Sequence, residues 1–182
     1  TTFFETIERT AKLGMAYVGG LSFQRVSPDI PGNLDPGLTD PEIEQVRMKL
    51  DAEGVRLLTY YFQEIPGDEA GCRRVFEFAR KLGIETFMTE PKVESLDLIE
   101  RFADEYGINV ALHNHDRKAS PNYWSPDAIL KVCKGRSARI GAAADVGYWM
   151  RGGLDPVAGI RKLGKRLITI QMHDLHELSP EG

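Results

Sequence analysis

An α/β barrel of parallel strands is the fold class that the sequence predicts, and three observations predict it. Glycines close helical stretches at Leu13-Gly14, Glu53-Gly54, Leu82-Gly83, Tyr106-Gly107 and Leu163-Gly164, and an apolar, strand-like segment follows each within a few residues. Glycine at a helix end accepts the left-handed conformation that turns the chain straight into a strand. Helix and strand alternating in this way call for right-handed crossovers and a parallel sheet. A glycine-rich phosphate turn is absent, since Gly19-Gly20 does not fit its spacing, which counts against an open doubly wound sheet. Residues able to bind metal or ligand gather at the carboxyl ends of the strands, the face on which eightfold barrels build their active sites.

The elements follow in order. Thr2-Phe3-Phe4-Glu5 reads as a capping box opening a helix to about Leu13, and a strand follows over 16–22. The loop over about 22–38, rich in Pro, Gly and Asp, leaves that strand's end and is placed to lie over a site. Asp40 as N-cap and Pro41 at the first helical position start a helix ending near Glu53. A strand over 55–61, a helix over 67–82, a strand over 84–89 and a helix over 93–106 come next. A strand over 108–115 leads to a helix over 126–134, opened by Ser125-Pro126-Asp127. A strand over 138–145, a helix over 155–163 opened by Leu154-Asp155-Pro156, and a strand over 166–173 complete the series. Val55 to Tyr61 and Leu167 to Met172 are near-continuous apolar runs, as expected of parallel strands buried on both faces.

The 182 residues suit a single domain, 1–182, with a substantial core. With 42% hydrophobic and 27% charged residues and a formal net charge of −4, the chain has no electrostatic footprint for nucleic acid or an anionic membrane. Its longest apolar runs are strand-sized, too short to span a bilayer. Cys72 and Cys133 fall in helices and are too few for a disulfide scaffold, which points to reduced thiols and a cytoplasmic setting.

The run Asn109-Val110-Ala111-Leu112-His113-Asn114-His115-Asp116 carries the chemistry. Alternation along a strand puts His113 and His115 on one side and Leu112 and Asn114 on the other, so two imidazoles project together where the strand runs out. Such a pair suits a divalent metal. Three other strand ends present Glu90 in Thr89-Glu90-Pro91-Lys92, Asp145, and His173-Asp174. Mixed imidazole and carboxylate donors favour Mn²⁺, Co²⁺, Zn²⁺ or Fe²⁺ over Mg²⁺ or Ca²⁺. Taken singly, Glu90 reads equally as a solvated loop acid, Asp145 as a turn former and His173 as a core histidine. Three such accidents on one rim, beside the histidine pair at a fourth strand end, are a poorer account than a site. Lys92 and Arg151, with Arg117 and Lys118, stand near the rim as anion binders or solvated charge. Trp124 and Trp149 can stack on a ligand ring or pack against the barrel end.

The run Gly107-Ile108-Asn109-Val110-Ala111-Leu112-His113-Asn114-His115 resembles the fifth-strand signature of the xylose isomerase-like barrels, in their sugar phosphate isomerase/epimerase branch. The segment Ile140-Gly141-Ala142-Ala143-Ala144-Asp145-Val146-Gly147-Tyr148-Trp149-Met150-Arg151-Gly152-Gly153-Leu154-Asp155-Pro156 is similar to that branch's sixth-strand segment. Ile170-Gln171-Met172-His173-Asp174 and Thr89-Glu90-Pro91 resemble its seventh- and fourth-strand ends. The resemblance implies a (β/α)8 TIM barrel, incomplete in this chain because strands 1 and 8 are not present, with the remainder lying in a longer protein or supplied by a partner chain. It implies a cytoplasmic enzyme of carbohydrate metabolism: a divalent-metal-dependent sugar or sugar phosphate isomerase or epimerase, abstracting a proton next to a carbonyl through a metal-stabilised ene-diolate. Carried over by position, the metal ligands are Glu90, His115, Asp145 and His173. Glu90, His113 and Tyr148 take catalytic roles, and Lys92, His113, Trp149 and Arg151 bind substrate. Related barrels place a glutamate where His113 stands and a histidine where Tyr148 stands, and the strand-8 glutamate has no counterpart here. The implied partner is a small-molecule sugar, with no nucleic acid or membrane and with homo-oligomerisation left open. The rival readings are a metal-dependent dehydratase or lyase on keto-sugars or inososes, and a barrel that binds a sugar without turning it over.

Overall fold

Each strand pairs in parallel with the next one in the sequence. The computed structural model describes residues 1–175, and within them six strands form one sheet in strictly sequential order. They are β1 (Tyr17–Leu21), β2 (Arg56–Tyr61), β3 (Thr86–Thr89), β4 (Asn109–His113), β5 (Ile140–Asp145) and β6 (Leu167–Gln171). A doubly wound sheet reverses its strand order partway, so this order belongs to a curling, barrel-type sheet. The six strands make an incomplete barrel whose outer members, β1 and β6, are not paired with each other among the described residues. Residues 176–182 of the expected 1–182 domain lie outside the described residues.

The helices are α1 (Phe3–Lys12), α2 (Asp40–Glu53), α3 (Glu69–Leu82), α4 (Leu96–Tyr106), α5 (Pro126–Val132), α6 (Val146–Arg151) and α7 (Pro156–Leu163). The Thr2–Glu5 capping box opens α1, and Ser125 and Asp155 cap α5 and α7 as expected. Helix α2 corrects one detail. Its N-cap is Thr39, not Asp40, because the Glu42 carboxylate reaches back to accept from both the Thr39 N–H (2.8 Å) and its hydroxyl (2.7 Å). Gly54, Gly83 and Gly107 hold left-handed C-caps as predicted, whereas Gly164, with φ 50° and ψ −121°, is not in that conformation and leads into a 3-10 turn before β6. Helix α6 was not anticipated from the sequence, and it starts on the residue after β5 ends.

The core lies between sheet and helices. Phe76 packs edge-on against Phe87 with ring centres 5.2 Å apart, and Phe102 lies 5.7 Å from Phe76, linking α3, β3 and α4. All six residues of β5 are buried, whereas the run Leu167 to Met172 corrects the sequence reading. Ile170 is 40% exposed and Met172 81% exposed, because β6 is the last strand of the described sheet and has a neighbour on one edge only. The long loop folds back onto the barrel's side, with Val26, Ile30 and Leu34 buried. Of this loop, Phe23 alone lines the cavity at the strand ends. Among the described residues no helix is long and apolar enough to cross a membrane.

Candidate active site at the strand ends

The carboxyl ends of β3 to β6 bring the candidate residues together. Glu90 follows β3, His113 ends β4 with His115 just beyond, Asp145 ends β5 and His173 follows β6. Parallel register sets His113 opposite Ala143 and Asp145 opposite Gln171, so the four ends come level around one mouth. A cavity of about 480 Å³ opens there, lined by His113, His115, Asp145, Tyr148, Gln171 and His173 on its polar side. Leu21, Phe23, Met88 and Ile170 form the apolar side.

One donor from each of Glu90, His113 and His115 falls within 4.8 Å of the others. Glu90 Oε1 lies 2.5 Å from His115 Nδ1 and 3.5 Å from His113 Nδ1, and accepts from the Tyr61 hydroxyl at 3.3 Å. Burial would raise the Glu90 carboxyl, but His113, His115 and the Ser120 hydroxyl around it outweigh that and hold it at about 2. The Glu90 carboxylate in turn raises the His115 imidazole, against the opposing pull of partial burial. Asp145 and His173 form a second pair, with His173 Nδ1 3.3 Å from Asp145 Oδ2. His113 stands between the two groups, its Nε2 3.8 Å from Asp145 Oδ2. Of the expected ligands, Glu90 and His115 therefore meet each other, and Asp145 and His173 meet each other. His113, given a catalytic and substrate role from the sequence, sits nearer to Glu90 and His115 than the Asp145–His173 pair does.

Asn114 points away from the cavity, as strand alternation requires, and clamps the end of β5. Its amide donates to the Asp145 carbonyl (2.9 Å) while its carbonyl accepts from the Asp145 N–H (2.8 Å). The Asp145 carboxylate caps α6 by accepting from the Tyr148 N–H at 3.2 Å. That turn carries Tyr148 over the site, with its ring centre 4.7 Å from that of His115 and 5.6 Å from that of His173. Burial and the charge of Asp145 raise the Tyr148 phenol, so it stays a proton donor at neutral pH. Burial and the Glu90 charge likewise push Tyr61 up to about 12.

Three expected substrate contacts fall elsewhere. Trp149 is fully buried against α7, where a Cβ on Gly159 would come within 2.9 Å of its ring, so it offers no face to a ligand. Lys92 is largely exposed, pairs with Glu64 at 3.4 Å and does not line the main cavity. Arg151 lies over the Tyr148 ring at 5.4 Å and touches the site through that ring. Sequence reasoning gave no site role to Gln171, whose Oε1 is 3.0 Å from His113 Nε2, nor to Asn114. It left Tyr61 undecided between stacking and packing. The signal for Gln171 was present, since it lies two residues before His173 on an alternating strand.

No family model matches the sequence, and neither does any curated protein. Solved structures do. An uncharacterized protein from Parabacteroides distasonis ATCC 8503 is 32% identical, with a TM-score of 0.77 over 93% of this chain and 68% of its own. A D-psicose 3-epimerase, in a structure with D-fructose present, is 18% identical with a TM-score of 0.74 over 93% of this chain and 67% of its own. A probable 3-DHS dehydratase from Bacillus anthracis is 11% identical with a TM-score of 0.72 over 93% and 67%. The chain thus spans about two thirds of the length of each of these three proteins. A xylose isomerase-like TIM barrel fused to a 4-hydroxyphenylpyruvate dioxygenase matches 94% of this chain and 29% of its own, at 16% identity and a TM-score of 0.72. Together with the sequential parallel sheet, these matches show that the chain has the fold of the TIM barrels, present here in part.

Proposed function

We propose that this barrel is a divalent-metal-dependent enzyme that moves a proton next to the carbonyl of a sugar, as an isomerase or epimerase. The observation that carries the reading is the convergence of Glu90, His113 and His115 within 4.8 Å beside the cavity at the strand ends. The donor set fits a metal on its own chemistry. Glu90 is ionised, and among the described residues the buried Nδ1 of His113 has no hydrogen-bond partner. Glu90, His113 and His115 are the proposed holders of the ion, with Asp145 and His173 closing the adjoining side. A divalent ion there would supply Lewis-acid polarisation of a carbonyl and its neighbouring hydroxyl.

The chain's own groups do the rest. Asp145 accepts from His173 Nδ1, which leaves Nε2 of that imidazole as the atom to take or return a proton. Tyr148 and Tyr61 present phenolic hydroxyls, held protonated, to substrate oxygens. Phe23, Leu21, Met88 and Ile170 offer apolar surface to the carbon face of a sugar ring. The dehydratase of the same fold favours one second reading, in which the proton removed is followed by loss of water rather than by its return.

Elemental analysis and calorimetry with Mn²⁺ and Zn²⁺ test the metal. One tightly bound divalent ion per chain is expected, lost in His115→Ala and Glu90→Gln; a wild-type chain that takes up none sinks the proposal. Incubation with a panel of ketoses in deuterated solvent tests the chemistry. Deuterium entering a recovered ketose supports epimerisation, and a dehydrated product supports the second reading.

A further inference from the structure

Gly147 is a glycine that neither its backbone nor its helix explains. It is the second residue of α6, it is buried, and its φ is not positive, so other residues could adopt its backbone conformation. Glycine also weakens a helix relative to alanine, because it gives up the most backbone freedom on folding. The space beside it supplies the reason. A β-carbon built on Gly147 would lie 2.7 Å from Cγ of His173, 2.8 Å from its Cβ and 2.9 Å from its carbonyl oxygen. All three nearest atoms belong to one residue, and overlaps of that size force the neighbour to shift.

His173 reaches this space by a sharp turn. Strand β6 ends at Gln171, and the His173 N–H donates back to the Gln171 carbonyl at 3.0 Å, which brings the chain against the first turn of α6. There His173 Nδ1 comes 3.3 Å from Asp145 Oδ2, and its ring centre lies 5.6 Å from that of Tyr148, on the wall of the cavity. The residues two before and one after Gly147 thus supply the partners of the ring, and Gly147 supplies the room. Because the His173 carbonyl is among the three atoms, a new side-chain torsion does not relieve the overlap. The chain beyond β6 has to move, and the imidazole moves with it.

We propose that Gly147 is a positioning residue, whose missing side chain is the seat that lets His173 close on Asp145 at the cavity wall. The inference rests on reading this cavity as an active site for a ketose, but it stands on contacts that can be read without turnover. Displacing a group at a reaction centre by about 1 Å costs up to roughly 100-fold in rate.

The experiment uses the full chain as purified, labelled with ¹³C and ¹⁵N. Wild type is expected to show nuclear Overhauser contacts from the Gly147 α-protons to the His173 β- and ring protons, and from the His173 ring to the Tyr148 ring. Gly147→Ala should lose the His173–Tyr148 contact while keeping the contact between the Phe76 and Phe102 rings, which are 5.7 Å apart and belong to the distant core. With the panel ketose that wild type labels fastest in deuterated solvent, kcat for exchange should fall by roughly 10- to 100-fold while KM stays within about three-fold. Loosened packing alone would lower Tm without that split. Should Gly147→Ala fail to fold, adding His173→Gly removes the opposing side chain and should restore folding; a double variant that stays unfolded overturns the inference. So do wild-type spectra without the Gly147–His173 contacts, or a folded Gly147→Ala chain that keeps the His173–Tyr148 contact or the wild-type kcat. A wild type that labels no ketose overturns the proposed function instead, and the contacts then decide this inference by themselves.

Discussion

Replacing Asn114 tests how the site is held to the barrel. Its side chain is fully buried and makes two hydrogen bonds, 2.9 Å and 2.8 Å long, to the carbonyl and N–H of Asp145. Asp145 ends β5, caps α6 and faces His173, so one amide fixes the point from which strand, helix and site diverge. Asn114→Leu keeps most of the volume and removes both partners. Each backbone group left unsatisfied in the interior costs about 1–3 kcal/mol, which gives a loss of roughly 3–4 kcal/mol for the pair. At about 2–4 °C per kcal/mol for a chain of this size, Tm should fall by roughly 6–16 °C. Asn114→Ala adds a cavity and should cost about 1 kcal/mol more. Guanidinium denaturation followed by circular dichroism measures both variants. A loss below about 1 kcal/mol in Asn114→Leu refutes the reasoning, since the Asp145 backbone groups would then have found other partners at little cost.

Two further outcomes follow from the packing. A Cβ on Gly141 would overlap the Arg166 carbonyl and lie 2.8 Å from the Ile168 side chain, so Gly141→Ala should destabilise the chain by about 2 kcal/mol or more; denaturant midpoints check it. Burial pushes the Cys72 thiol up to about 11, so in the native chain its alkylation by iodoacetamide should stay slow through pH 9 and accelerate only as pH approaches 11. A thiol whose folded value is raised favours the folded state fully below its unfolded value near 9 and loses that contribution as pH climbs toward 11. Stability of wild type should fall across that window, and Cys72→Ala should flatten the fall.

Much of the framework was legible because local rules and the global fold agree. Helix-ending glycines, proline at first helical positions and apolar strand runs each act over a few residues, and they located all six strands of the described sheet. The pairing of His113 with His115 was legible for the same reason, since a two-residue repeat needs no knowledge of the partner strand. Contacts across strands were not. The Gln171–His113 bond joins residues 58 apart in sequence, and Tyr61 meets Glu90 across 29. Such contacts depend on register and side-chain torsion, which no local pattern encodes.

The placement of Trp149 shows how a single missed element misdirects a site assignment. The sequence reading assigns no element between Asp145 and the helix at 155–163, which leaves Tyr148, Trp149 and Arg151 equally free to face a ligand. Asp145 instead accepts from the Tyr148 N–H and converts the chain directly from strand to helix. From that point side chains rotate by about 100° per residue rather than alternating. Tyr148 lands over the histidines, and Arg151, three residues on, lands above Tyr148 at 5.4 Å. Trp149, one step round, is driven into the core against Gly159. The residue that caps the helix is also the one that faces His173, so the same carboxylate sets which aromatic reaches the cavity and which one packs. Any substitution of Asp145 should therefore disturb Tyr148 together with His173, and the two effects cannot be separated by mutating that position alone.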